Sequence, residues 1–275
     1  MHNEGYSTMC GHGVIALAAV AVATGMVPAT TPETRIGLDT PAGFVEAFVE
    51  WDGQQTGRTR FRNVPSFLYH RDMAITTPSF GALAVDVAFG GAFYAYLAAA
   101  QAGLTVRPTH YQALIQLGDE VKHAVEAAIS VVHPLEPELH GIYGTIIDGP
   151  PQAPGADQAN VCVFADREVD RSPTGTGTAG RVAQLYARGL LAKCGRSLFG
   201  NILAFCTWKI FTVFSLDPSW HSCPIWVRCP YPTSSLGYTG HKERITPPKT
   251  ESALLRCCRT GCYYRYRLAR YRGLQ

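Results

Sequence analysis

The apolar run Val14 to Val22 has no polar face at any helical spacing. Such a run predicts a helix buried on every side, starting near Gly11, continuing to about Met26 and stopped by Pro28. Short β-branched and aromatic segments bounded by Gly, Pro or Asp follow, and they predict strands over Thr34 to Leu38, Gly43 to Val49 and Thr59 to Asn63. The plan then repeats. Strand patterns recur at Ala82 to Phe89, Gly91 to Leu97 and Val161 to Phe164, with a helix predicted over Tyr111 to Val131 and another over about Gly175 to Ala192. In that last helix Val182, Leu185, Tyr186, Leu190 and Leu191 face inward, with Arg181, Gln184 and Arg188 on another face. Gly149, Pro150, Pro151, Pro154 and Gly155 read as a surface loop. The pattern thus predicts an α+β fold of two similar halves facing each other across a cleft.

Charge and cysteine content divide the chain near residue 192. From Lys193 to Gln275 there are 13 lysines and arginines against 3 acidic residues, whereas residues 1–192 hold 11 against 18. Seven of the nine cysteines also fall in the later stretch. The expected organisation is a first α/β half over 1–76, a second over 77–192, and a basic, cysteine-rich, poorly ordered tail over 193–275. An odd cysteine count without a basic leader argues against a secreted disulfide scaffold and for a reduced, cytoplasmic setting. The run from Val14 is preceded by Glu4 and by no Lys or Arg, so it does not read as a signal peptide. Ser197 to Leu216 has transmembrane length, but Asn201 and Lys209 interrupt it, and no membrane partner is expected. Arginines 265, 267, 270 and 272 alternate with tyrosines 263, 264, 266 and 271, a composition without an ordered motif, and no nucleic-acid partner is expected. Cys257, Cys258 and Cys262 with His241 match no paired zinc spacing, so no metal is expected.

The chemistry concentrates in two short segments, Met9-Cys10-Gly11-His12-Gly13 and Asp170-Arg171-Ser172-Pro173-Thr174-Gly175-Thr176-Gly177-Thr178. Each opens a predicted helix, where unpaired N–H groups and the helix dipole favour a thiolate and a substrate carboxylate. Cys10 reads as a base rather than a small core side chain, and Gly11 and Gly13 allow a ligand oxygen close to the backbone. His12 either holds the ligand or a leaving oxygen, or is a histidine satisfied within the fold. Asp170 is either a ligand contact or a turn former. Gly175 to Gly180 also satisfies GxGxxG, but the preceding strand is nine residues away and no acidic residue lies near position 200, so a dinucleotide is rejected.

Both segments resemble the proline racemase family, together with Asn3-Glu4-Gly5-Tyr6-Ser7, Asp86 to Tyr94, Tyr143-Gly144-Thr145 and Asn160 to Ala165. Threonine stands at 174 where racemases and epimerases of the family carry a second cysteine, and this Cys/Thr pair resembles the trans-3-hydroxy-L-proline dehydratase branch. The resemblance implies two halves, each a curved, mostly antiparallel sheet around a central helix. It implies Cys10 and Thr174 as the catalytic pair, with Gly11, His12, Asp170, Gly175 and Thr176 binding the substrate, trans-3-hydroxy-L-proline, with no cofactor. It leaves a homodimer open. Cys10 would remove the α-proton and the 3-hydroxyl would leave as water to give pyrroline-2-carboxylate; the alternatives are proline racemase or 4-hydroxyproline 2-epimerase activity. Relatives of this kind carry a long segment before the first cysteine and different sequence after about residue 192. An incomplete, inactive fragment is therefore the expectation that competes with the enzyme.

Overall fold

The computed structural model describes residues 2–152 and 156–191 and, beyond them, the backbone of five strands between 196 and 268. Most of the stretch expected to be a poorly ordered tail lies outside the described residues. Helix α1 (Gly11–Ala23) is followed by strands β1 (Glu33–Thr40), β2 (Gly43–Trp51), β3 (Thr56–Arg62), β4 (Phe67–Thr77), β5 (Gly81–Phe89) and β6 (Phe93–Ala98). Then come α2 (Tyr111–Ala128), β7 (Gly144–Gly149), β8 (Gln158–Phe164), the short β9 (Glu168–Val169) and α3 (Gly175–Ala187). The last strands are β10 (Arg196–Asn201), β11 (Thr207–Thr212), β12 (Ile225–Arg228), β13 (Ser252–Cys257) and β14 (Cys262–Leu268).

The strands form one curved sheet in the order β13-β14-β1-β2-β3-β12-β11-β10-β8-β7-β6-β5-β4, with β9 paired to β8. Pairing is antiparallel except between β10 and β8 and between β6 and β7. The α+β class holds. Helix α1 packs on β1 to β3, and α3 packs on β4, β5 and β6. Strand β4 runs across the expected join at 76–77 and pairs with β5.

Helix α1 is buried around most of its circumference, through Val14, Ile15, Leu17, Ala18, Ala19, Ala21 and Val22, but not on every side: His12, Ala16 and Val20 form a partly buried stripe. It ends three residues before Met26. Gly25 takes a left-handed φ of 72° and returns its N–H to the Val22 carbonyl, so this glycine rather than Pro28 stops the helix. Helix α2 buries Leu114, Leu117, Gly118, Val121 and Val125, a single stripe, and ends at Ala128 where Ile129 is already extended. Among the described residues, no helix is long and apolar enough to cross a membrane.

Helix α3 departs from its expected faces. Arg181 and Gln184 are buried, while Leu190 is exposed beyond the helix end. Ion pairing reverses the reading: Arg181 meets Asp148 at 3.1 Å and donates to Gln158 Oε1, and Gln184 donates to Asp86 Oδ2. Arg188 closes the same cluster on Asp86 at 2.6 Å. These contacts lock the polar side of α3 onto β5, β7 and β8, so that the helix is buried around most of its circumference.

Candidate active site

The two helices meet at their N-termini. A methyl group at Gly175 would lie 3.2 Å from the Gly11 Cα, and one at Gly11 would lie 3.3 Å from the Gly175 Cα. Only glycine at both positions lets the first turns come this close without displacement. Cys10 and Thr174 are the residues immediately before, the N-caps of α1 and α3. The fold therefore brings the two predicted motifs to one place.

The caps differ. Cys10 has extended backbone (φ −137°, ψ 115°) and its Sγ accepts the Gly13 N–H at 3.4 Å. It is partly exposed. Thr174 is 5% exposed and has φ 64°, a left-handed value that a β-branched residue adopts only under constraint. Its side chain does not cap α3. The hydroxyl instead donates to Asp170 Oδ2 at 2.8 Å, and Asp170 Oδ1 accepts the Ser172 N–H at 2.8 Å. Further support comes from below: Ser172 Oγ accepts the Thr174 N–H, Thr178 Oγ1 donates to the Thr174 and Pro173 carbonyls, and Asn160 Nδ2 donates to the Pro173 carbonyl. With no side-chain cap, the first-turn N–H groups of Gly175, Thr176 and Gly177 are oriented for an anion.

His12, the second residue of α1 and partly buried, hydrogen-bonds Cys10 and feels the charge of Asp170. Burial pulls its proton affinity down, yet the Cys10 hydrogen bond and the Asp170 and Cys10 charges outweigh it, leaving the imidazole raised above its ordinary value. This links α1 electrostatically to the Asp170 turn. The Thr176 hydroxyl shares a 2.7 Å hydrogen bond with the buried Tyr94 hydroxyl.

Several residues of the site escaped sequence reasoning. Tyr143 lies within electrostatic reach of Cys10, Cys162 and Asp170 and hydrogen-bonds Ser7; burial drives its phenol upward, with the three neighbouring charges adding to the effect. The other described cysteine, Cys162, is fully buried behind Thr174. Burial pushes its thiol far up, the Asp170 charge adds to this, and the Thr174 hydrogen bond opposes it only in part. Cys162 is thus a neutral thiol and no second base. The glycines of the GxGxxG pattern serve packing: a methyl at Gly180 would sit 2.2 Å from the Tyr96 hydroxyl, and one at Gly177 2.6 Å from Ile146 Cδ1. The Tyr96 hydroxyl also donates to the Gly177 carbonyl at 2.7 Å. Among the described residues, no group of three His, Cys, Asp or Glu side chains is placed to hold a metal. A cavity of about 240 Å³ lies beyond Tyr143, lined by His2, Glu4, Lys122 and His140, and is not lined by Cys10 or Thr174. The candidate site is the junction of the two helices, where both motifs meet.

Two helix N-termini converge on one point, one bearing a thiol and the other a hydroxyl, an arrangement suited to a small carboxylate. The chain belongs to the proline racemase family, whose sequence profile, described as proline racemase, matches residues 1–204. It is 60% identical over 192 residues to trans-3-hydroxy-L-proline dehydratase of Azospirillum brasilense, covering 70% of this chain and 57% of that protein. The same identity and coverage relate it to a 3-hydroxyproline 2-epimerase of Burkholderia multivorans. A trans-L-3-hydroxyproline dehydratase of Xenopus tropicalis is 42% identical over 193 residues, 70% of this chain and 56% of that one. The chain thus spans a little over half the length of the curated relatives it matches. Its fold matches the crystal structure of a hydroxyproline epimerase from Agrobacterium vitis with bound trans-4-hydroxy-L-proline at a TM-score of 0.76 and 26% identity. That match covers 83% of this chain and 65% of the epimerase.

Proposed function

We propose that this chain is a trans-3-hydroxy-L-proline dehydratase. The observation that carries the reading is the unequal pair of caps, a partly exposed sulfur on α1 against a buried, hydrogen-bonded hydroxyl on α3. Inverting the α-carbon requires a base on one ring face and an acid on the other, and two thiols can exchange those roles. A threonine hydroxyl is no base of comparable strength near neutral pH. Cys10 removes the α-proton, and the electron pair expels the 3-hydroxyl from the adjacent carbon, which leaves as water. The enamine formed first tautomerises to the imine, pyrroline-2-carboxylate.

The rest of the site supports this chemistry. A carboxylate seated on the N–H groups of Gly11, Gly175 and Thr176 gains most when enolate charge develops on it, because the helix termini are fixed before reaction begins. Asp170 is suited to the ring ammonium as well as to the Thr174 hydroxyl. His12, held on Cys10, favours the thiolate. The dehydratase names of the relatives from Azospirillum brasilense and Xenopus tropicalis support the substrate. The equally similar 3-hydroxyproline 2-epimerase supports a second reading, inversion at C2 without water loss. Incubating the purified 275-residue chain with trans-3-hydroxy-L-proline tests both: pyrroline-2-carboxylate is expected, and accumulation of the C2 epimer with no pyrroline would replace the first reading by the second. The small-molecule partner is this amino acid; a cytoplasmic setting remains part of the proposal.

A further inference from the structure

One hydrogen bond bears on which group protonates the departing oxygen, given the dehydratase reading on which this inference rests. Thr174 Oγ1 and Asp170 Oδ2 are 2.8 Å apart, and the second Asp170 oxygen is taken by the Ser172 N–H. An ionised carboxylate has no hydrogen to give, so the threonine is the donor. The backbone that carries the hydroxyl is fixed, because the Thr174 N–H is held by Ser172 Oγ at 3.0 Å and its carbonyl takes both the N–H and the hydroxyl of Thr178, and the residue is only 5% exposed. Its single hydroxyl proton is committed to Asp170, the neutral Cys162 thiol behind it can only give a hydrogen bond to the hydroxyl oxygen, and one lone pair is left for a ligand.

The shape of the substrate adds the second constraint. In trans-3-hydroxy-L-proline the hydroxyl and the carboxylate lie on opposite faces of the ring, so the α-hydrogen and the hydroxyl share a face. A base that reaches this hydrogen is on the same side as the leaving oxygen. His12 is hydrogen-bonded to that base, Cys10.

We infer that Asp170 is a positioning residue that fixes Thr174 as a hydrogen-bond acceptor transferring no proton, and that His12 supplies the water-forming proton from the Cys10 side in a syn elimination. The Cys10 thiolate takes the α-proton as the C–H bond breaks, and the freed pair forms the C2=C3 bond. The C3–O bond breaks and the departing oxygen takes a proton from the His12 imidazolium, forming water. The Cys10 thiol then returns its proton to His12, restoring thiolate and imidazolium with no other reactant.

The test uses the 275-residue chain in heavy water with the trans and cis isomers of 3-hydroxy-L-proline. In the cis isomer the hydroxyl lies on the far face, toward Thr174. The trans isomer is expected to lose water, and the cis isomer to exchange its α-hydrogen for deuterium while losing water at least about 100-fold more slowly, the low end of what a placed acid contributes. Dehydration of the cis isomer within about tenfold of the trans rate would place an acid on the Thr174 face and overturn the inference. No water loss from either isomer removes the dehydratase reading and the inference with it, a result distinguishable from the first. Thr174→Val is expected to raise KM by about tenfold, as for one lost hydrogen bond, with the pH limbs of kcat unmoved. A fall in kcat of about 10³-fold in Thr174→Val that Thr174→Ser restores would identify threonine as the acid and overturn it.

Discussion

The N-termini of α1 and α3 touch through paired glycines, yet they are built to opposite standards. At α1 the cap is extended and partly exposed, with a long sulfur contact to the Gly13 N–H and a hydrogen bond to His12. At α3 the cap is buried, has a left-handed φ of 64°, and is tied by hydrogen bonds to Asp170, Ser172 and Thr178. Reactive groups must change partners during turnover, whereas groups that select a ligand work best when held still. Under the proposed function, the contrast separates the end that moves protons from the end that frames the substrate.

The largest expected effect falls on the reactive end. Cys10→Ser is expected to lower kcat/KM by about 10³-fold or more, the upper range for a general base, with an unchanged thermal midpoint. A variant that keeps turnover would transfer the base role elsewhere. On the framing end, Arg181→Leu leaves Asp148, 13% exposed at its side chain, without its cation. Breaking such a nearly buried pair is expected to cost about 3 kcal/mol in urea unfolding and to weaken substrate binding through α3. Equal unfolding midpoints would show that the polar cluster does not hold the helix.

The contact between the two ends is sharpened by Gly175→Ala. The new methyl, 3.2 Å from the Gly11 Cα and 3.5 Å from its nitrogen, pushes the termini apart. About 1 kcal/mol of destabilisation is expected, with about a tenfold loss in kcat because reacting groups shift by a fraction of an ångström. Denaturant melts and steady-state kinetics check both.

The smallest effect is a pH dependence. The folded chain raises the proton affinity of His12, so its imidazolium adds stability that is complete below the unfolded value of 6.5 and is lost as pH climbs through the raised folded value. The wild-type advantage in thermal midpoint over His12→Asn is expected to be larger at about pH 5.5 than at about pH 8.5. A difference that grows with pH instead would contradict the assigned environment.

Much of the scaffold was legible in the chain itself. The uniform apolar run of α1 and the single stripe of α2 specify burial without any partner being known. Strand β4 was hidden because the exposed run His70-Arg71-Asp72 breaks its alternation; the structure accommodates it as a bulge with Asp72 at φ 50°. Arg181 and Gln184 read only as lying on another face from the apolar residues, because their partners, Asp148 and Asp86, stand on distant strands. The two motifs mark the candidate site, since each places a thiol or a hydroxyl just before glycines at a helix start, and the fold brings those two starts together. What they did not reveal is which way the Thr174 hydroxyl points. The spacing of Asp170, Ser172 and Thr174 held a signal, since Asp commonly accepts the N–H two residues on, as Asp170 does from Ser172.

The central claim, that a single base works on one ring face, is tested most directly by the stereochemistry at C2 of unreacted trans-3-hydroxy-L-proline recovered from heavy water after partial turnover by this chain. The account predicts pyrroline-2-carboxylate beside residual substrate of unchanged configuration. Residual substrate that is inverted at C2 and carries deuterium there would contradict it, because inversion requires a second proton carrier opposite Cys10.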